Sequence, residues 1–280
     1  MMARTENLRL AVAACVFASI AEPATAADSS RWDGDAKSAI RLIAGTVPAG
    51  AATVRAGIEI RLKPGWHTYW RYPGDAGIPP RFDFTGSQNM KSVEVRWPAP
   101  KRQPEGSIMT IGYDRDVILP LAIVPEDPAK PVTLRLKADY AICEKLCAPV
   151  EGQTELTIMP GASKLEPQLA AAEGRVPKLQ ALREGDGLVI RSAIRGDKPK
   201  PHVVVDVAAP PGTRADLFAE GPTPDWALPV PAPVDGAPDG LNRFTFDLDG
   251  GPPGTDYRAS PLTLTAVAGR KAVEVTIRLD

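Results

Sequence analysis

The sequence predicts an all-β protein made of two antiparallel β-sandwiches joined by a short helical linker. Three observations carry this expectation. Apolar residues recur with period two in many short segments. The 30 prolines in 280 residues are scattered between those segments, at about twice ordinary usage, and so punctuate short elements instead of forming a polyproline rod. One segment alone has a helix-forming composition. Many short antiparallel strands separated by turn residues close into sandwiches.

In chain order, the opening MMARTENLRLAVAACVFASIAEPATAADSS sets Arg4 and Arg9 before an apolar run from Leu10 to Ala21 and follows it with Ala24-Thr25-Ala26. A small-x-small site after such a run predicts a signal peptide over 1–26, cut after Ala26. The run is about a dozen residues, short of the roughly 20 a membrane span needs, and nothing later approaches that length, so no transmembrane segment is expected in the mature chain. Val12-Ala13-Ala14-Cys15 resembles a lipoprotein processing box. The apolar run continues past Cys15, however, so Cys15 reads as part of the discarded leader. The net charge of −1 offers no basic field for nucleic acid or an anionic membrane.

Alternation then appears over Val54 to Leu62, Val93 to Trp97, Val117 to Ile123, Val132 to Ile142, and Leu156 with Ile158. After these strands, Ser163-Lys164-Leu165-Glu166-Pro167-Gln168-Leu169-Ala170-Ala171-Ala172-Glu173-Gly174 offers a serine cap and helix formers. Alternation returns at Val203 to Val207, at Phe244 to Leu248, and in the pair Leu262 to Val267 and Val273 to Leu279. Pro222 to Pro238 reads as a proline-dense loop with no element of its own. The expected division is a first sandwich over 27–162, a helical linker over 163–185 and a second sandwich over 186–280, each sandwich of ordinary domain size.

Cys143 and Cys147 are the only cysteines outside the leader, within DYAICEKLCAPVEG. Cys143 ends one strand and Cys147 precedes the next, which is expected to begin near Gly152, so the pair brackets a hairpin turn. The spacing is not that of a thioredoxin site. A bridge closing about five residues would contribute roughly 2 kcal/mol by chain entropy, against about 4.7 for a loop of 100, which makes it a weak staple. A domain of this size does not need one, and short exposed bridges are the exchange-competent ones. Redox exchange is therefore favoured over a structural bridge. Soft-metal capture ranks third: His67 and His202 are both remote from the cysteines in sequence, Met90 and Met109 read as core filler, and a four-ligand zinc site is not expected.

Upstream, Lys63-Pro64-Gly65-Trp66-His67-Thr68-Tyr69-Trp70-Arg71-Tyr72-Pro73-Gly74 packs four aromatics into seven residues. That is more than one inward face of a strand accounts for, so part of the cluster is expected to line a surface groove. His67 reads as a hydrogen-bonded surface histidine rather than a general base.

Several motifs occur in one order: GWHTYW at 65–70, GDAGIPP at 74–80, Trp97-Pro98, Gly112-Tyr113 leading into Val117-Ile118-Leu119-Pro120, and YAICEKLCAP at 140–149. Together they resemble the periplasmic N-terminal domain of the thiol:disulfide interchange protein DsbD, and more closely its ScsB-type relatives, which are associated with copper tolerance. The resemblance covers roughly residues 35–160 in detail, and the helix followed by a second sandwich is similar to the ScsB layout. It implies immunoglobulin-like domains, a periplasmic location and no cofactor. It also implies a thiol-disulfide oxidoreductase component whose cysteine pair accepts electrons from the thioredoxin-like domain of a membrane transporter and passes them to periplasmic disulfide-bearing proteins. By the same resemblance Cys147 forms the mixed disulfide, Cys143 resolves it, and the segment 104–113 caps the pair. Trp66, Tyr69, Trp70 and Tyr113 become the aromatic surround or cap. The enteric DsbD form has a longer gap between its cysteines, and this sequence shows neither the membrane domain nor the thioredoxin-like domain, so the donor is expected to be a separate protein. The alternative is a non-enzymatic, two-domain binding protein for a protein, copper or glycan ligand, using the aromatic cluster at 66–72.

Overall fold

The computed structural model describes residues 27–279, so the expected signal peptide and Cys15 lie outside the described residues. Nineteen strands and one helix follow in order: β1 (Asp33–Gly34), β2 (Ser38–Ala44), β3 (Val54–Leu62), β4 (His67–Gly74), β5 (Arg81–Asp83), β6 (Met90–Val95), β7 (Lys101–Glu105), β8 (Ile108–Tyr113), β9 (Val117–Pro125), β10 (Val132–Cys143), β11 (Cys147–Ile158), α1 (Glu166–Glu173), β12 (Lys178–Leu179), β13 (Val189–Gly196), β14 (His202–Ala208), β15 (Asp216–Glu220), β16 (Ala232–Val234), β17 (Leu241–Asp247), β18 (Leu262–Ala268) and β19 (Lys271–Ile277). They build four sheets, ordered β1-β2-β3-β9-β6, β11-β10-β4-β8-β7 with β5 on β10, β12-β19-β18-β15, and β13-β14-β17-β16. The first two sheets share one core and the last two another.

Strand β10 shows why the period-two reading works. Val132, Leu134, Leu136, Ala138, Tyr140 and Ile142 are buried in the first core, while Arg135, Lys137 and Asp139 face solvent. Sliding this strand by one residue would put every one of those side chains on the wrong face, so the core fixes its register. Strand β2 is buried on both faces and therefore carries no alternation to read. Helix α1 lies over the outer face of the same sheet, chiefly on β9, and Leu169 reaches in to 2.7 Å from where a Cβ on Gly45 would be and 3.2 Å from one on Gly57.

The helix is shorter than its sequence suggests, and Ser163 is not its cap. The Ser163 hydroxyl donates to the Ala44 carbonyl and accepts the Leu165 N–H, and the helix begins only at Glu166. Arg55 then holds both ends of α1, bonding Glu166 at 2.8 Å and Glu173 at 2.6 Å. The helix is strapped to the first sandwich and does not hang between the two. The stretch read as a featureless loop, 222–238, contains β16 and supplies carbonyls to the contact between sandwiches.

That contact falls on β4 and β7. Arg71 bonds Glu220 at 2.7 Å and also reaches Glu274. The Tyr72 hydroxyl donates to the Leu228 carbonyl, and Arg102 bonds Asp216 and the carbonyls of Leu217 and Pro231. Phe218 of the second sandwich packs against Trp70 with ring centroids 5.9 Å apart. Burial opposes the charge on Arg71, but Glu220 and Glu274 outweigh it, so the guanidinium stays protonated. Burial holds the Glu220 carboxyl above the usual range, with Arg71 pulling against it.

Removing Arg71 would leave two part-buried carboxylates facing each other. R71A is expected to destabilise the chain by roughly 1–3 kcal/mol in urea unfolding at neutral pH. A carboxyl whose folded pKa is raised binds its proton more tightly in the folded state, so stability falls as pH rises through that pKa. Acidifying R71A toward the ordinary Glu range is therefore expected to recover part of the loss, and E220Q in the R71A background to recover it without acidification.

Candidate functional site

The site is built where three neighbouring strands end. Strands β10 and β11 form an antiparallel ladder whose last rung pairs Cys143 with Cys147, and their sulfurs form a disulfide across it. The second strand thus starts at Cys147 and not near Gly152 as the sequence suggests, because the ladder runs unbroken to the three-residue turn Glu144-Lys145-Leu146. The two cysteines sit in different surroundings. Cys143 is 2% exposed, whereas Cys147 lies open to solvent beside Leu146, which is 82% exposed.

On its other side β10 pairs with β4, placing Thr68 opposite Ile142 and His67 opposite Cys143. The Thr68 hydroxyl donates to the Ala141 carbonyl at 2.8 Å and fixes the strand end. Tyr69 packs with Ala141 and Cys143 on the outer face of this sheet, and its hydroxyl reaches the Cys147 sulfur at 3.2 Å. Gly77, at φ +139°, lies against the Tyr69 ring; a Cβ there would stand 2.7 Å from it, so the turn after β4 closes over the aromatic face.

Beyond β4, the β7–β8 hairpin turns through Gly106-Ser107 and brings in Glu105. One carboxylate oxygen lies 3.0 Å from His67 Nε2 and accepts the Thr110 hydroxyl at 2.6 Å; the other is 4.0 Å from the Cys143 sulfur. His67 stands edge-on to Tyr69 with ring centroids 5.7 Å apart. At its root the hairpin lies tight against β4: a Cβ on Gly112 would sit 1.9 Å from the Thr68 carbonyl oxygen. The imidazole, the carboxylate and the Cys143 sulfur offer ligand atoms within 4.8 Å of one another. Burial, and next the Glu105 charge, hold the Tyr69 hydroxyl above the usual phenol range, so it stays a donor.

Of the four aromatics expected around the cysteines, Tyr69 alone touches them. Trp70 is fully buried in the first core, against Phe218 and under the Arg71 guanidinium at 4.3 Å. Tyr113 is a core residue whose hydroxyl donates to the Pro98 carbonyl. Trp66 is half-buried beneath the Lys37 ammonium at 5.5 Å. Three aromatics fit on β4 because each has a different cover: Tyr69 packs with Ala141 and Cys143, Trp70 lies in the core against Phe218, and Tyr72 bonds the Leu228 carbonyl of the second sandwich. His67 is hydrogen-bonded, as the sequence suggested, but to Glu105 within the site and with only 12% of its side chain exposed. Glu105 and Thr110 lie in the segment expected to cap the cysteines, yet sequence spacing alone gave neither a role.

Residues 43–158 match the family model described as thiol:disulfide interchange protein DsbD, N-terminal. That span contains His67, Tyr69, Glu105 and both cysteines, so the resemblance read from the ordered motifs holds across the whole site. The fold is shared with the N-terminal periplasmic domain of ScsB from Proteus mirabilis at TM-score 0.70 and 20% identity, over 90% of this chain and 98% of that one. It is immunoglobulin-like and nearly all-β. No curated protein sequence matches the chain significantly. Among the described residues no helix is long and apolar enough to cross a membrane.

Glu105→Gln removes the charge that helps hold Tyr69 protonated and leaves burial alone. The Tyr69 titration, followed by ring NMR shifts, is expected to move to lower pH in this variant. Tyr140, whose shift arises from burial with no contribution from Glu105, is expected to stay where it is.

Proposed function

We propose that the chain, whose first sandwich matches the DsbD N-terminal model, is a periplasmic thiol-disulfide exchange protein working through Cys143 and Cys147. The observation that carries this reading is the unequal exposure of the two sulfurs within one short hairpin. A donor thiolate, from a thioredoxin-like domain, attacks the open Cys147 sulfur. The S–S electron pair passes to Cys143, which leaves as a thiolate beside the His67–Glu105 pair and takes up a proton. The donor's second thiol then attacks its own sulfur in the mixed disulfide and frees Cys147 as a thiolate, to which the Tyr69 hydroxyl donates. In the forward half, Cys147 attacks a disulfide of an acceptor protein, and Cys143 attacks Cys147 to release the reduced acceptor and re-form the bridge. Two electrons and two protons pass through the pair in each cycle.

The alternative, a binding protein using the aromatics of 66–72, has lost most of its surface: Tyr69 and Trp70 are buried, and Tyr72 is engaged with the second sandwich. The polar and charged contacts between β4, β7 and the second sandwich support a bracing role for that sandwich behind the site.

Cys147→Ser is expected to abolish electron transfer from a thioredoxin-like donor with little change in unfolding midpoint. Cys143→Ser is expected to accumulate mixed disulfides that resolve on non-reducing gels. The reduction potential of the pair, from equilibration in thiol buffers, is expected between about −180 and −270 mV, the range of exchange proteins; a value below about −300 mV, typical of structural disulfides, would assign the pair a structural role.

A further inference from the structure

The exchange cycle uses the sulfurs and needs little from the imidazole, yet His67 sits directly across the ladder from Cys143, with a carboxylate held between them. Opening the disulfide turns one sulfur–sulfur bond into two thiols at the same spot. The end of the hairpin then offers two sulfurs, one imidazole nitrogen and one carboxylate oxygen.

We propose that the reduced protein binds a zinc-type divalent ion through Cys143, Cys147, His67 and Glu105, and that the disulfide is the closed state of this metal site. Three observations support it. The ligand atoms of His67, Glu105 and Cys143 already lie within 4.8 Å of one another, and the second sulfur is bonded to the first. Tetrahedral zinc with bonds of about 2.0–2.3 Å sets neighbouring ligand atoms about 3.3–3.8 Å apart; His67 Nε2 lies 3.0 Å from one Glu105 oxygen and the Cys143 sulfur 4.0 Å from the other, each within a few tenths of an ångström of that range. The outer shell is also present, because the Thr110 hydroxyl donates to the Glu105 oxygen that faces His67 and orients the carboxylate, as second-shell partners do in zinc centres. Three of the four ligands are sheltered, with the His67 and Glu105 side chains 12% and 24% exposed and Cys143 2%, while Cys147 opens the site to solvent.

The donor set selects the ion. Two thiolates with an imidazole and a carboxylate suit borderline zinc, whereas Cu(I) favours thiolate and thioether ligands and would leave the carboxylate idle. Reduction adds two electrons and two protons to the bridge. Binding then releases the two thiol protons, so the metal complex of the reduced pair carries no S–H. A sulfur held by the ion is not free to attack an acceptor disulfide, so zinc would retain the pair in its reduced form. This inference rests on the reading of a reducible pair but not on the identity of any electron donor.

The test uses the whole mature chain, reduced with a phosphine. Zinc is titrated against a chromophoric chelator, and Co²⁺ serves as the spectroscopic probe. The expected result is one equivalent bound by the reduced protein and none by the oxidised protein. The cobalt form should show thiolate charge transfer with the intense ligand-field bands of a tetrahedral centre. His67→Ala and the near-isosteric Glu105→Gln should each weaken zinc at least about tenfold, and zinc should slow reoxidation of the wild-type pair by a disulfide substrate. Equal affinity in wild type and a folded Glu105→Gln would overturn the four-ligand site. So would equal binding by the oxidised protein, or tight Cu(I) binding without a tetrahedral cobalt spectrum. Exchange with a thioredoxin-like donor is measured separately, without metal. A chain that exchanges but ignores zinc sinks this inference alone, and a chain that binds zinc after phosphine reduction but never exchanges sinks the functional reading alone.

Discussion

The register of the β10–β11 ladder is the constraint on which the rest of the site depends. Six inward side chains, from Val132 to Ile142, set which residues of β11 lie opposite β10, and a slip of one position would expose all of them to water. The core therefore determines that Cys143 faces Cys147. The same strand pairs with β4 on its other edge, so the register also determines that His67 faces Cys143. The chemistry sits at the end of a ladder whose alignment is enforced by apolar burial well away from the sulfurs.

The second sandwich has no disulfide of its own, yet it contacts the strands that carry the site. Arg71 follows Tyr69 and Trp70 on β4, and Arg102 precedes Glu105 on β7; both guanidiniums are held by residues of the second sandwich. The buried charges at this junction compensate one another only while the two sandwiches stay together. The hairpin with its disulfide and the His67–Glu105 pair thus project from a frame built by both halves of the chain.

What could be read from the sequence follows from which faces are covered. β10 was legible because one of its faces meets the core and the other meets water. β2 was not, because residues on both of its faces are buried and the alternation is lost. β4 misled for a related reason: its aromatics imply a surface groove if one face is open, but Phe218, packed on Trp70, and Glu220 and Glu274, bonded to Arg71, come from more than a hundred residues away to close it. Within the site, the cysteines could be found from type and spacing, whereas Tyr69 came with the resemblance as one of four aromatics, the other three of which lie away from the sulfurs. His67 and Glu105 are 38 residues apart and meet through pairing across three strands, a relation no local pattern encodes. Distance along the chain argued against a zinc-type ligand set, and sheet register brought those ligands together.

The close approach at Gly112 has a mechanical consequence. The Thr68 carbonyl oxygen stands 1.9 Å from where a Cβ on Gly112 would be, and the Met109 carbonyl oxygen 2.5 Å from one on Gly74. A side chain at either glycine would push β8 off β4, and the Glu105 carboxylate, carried on the strand paired to β8, would move with it away from His67.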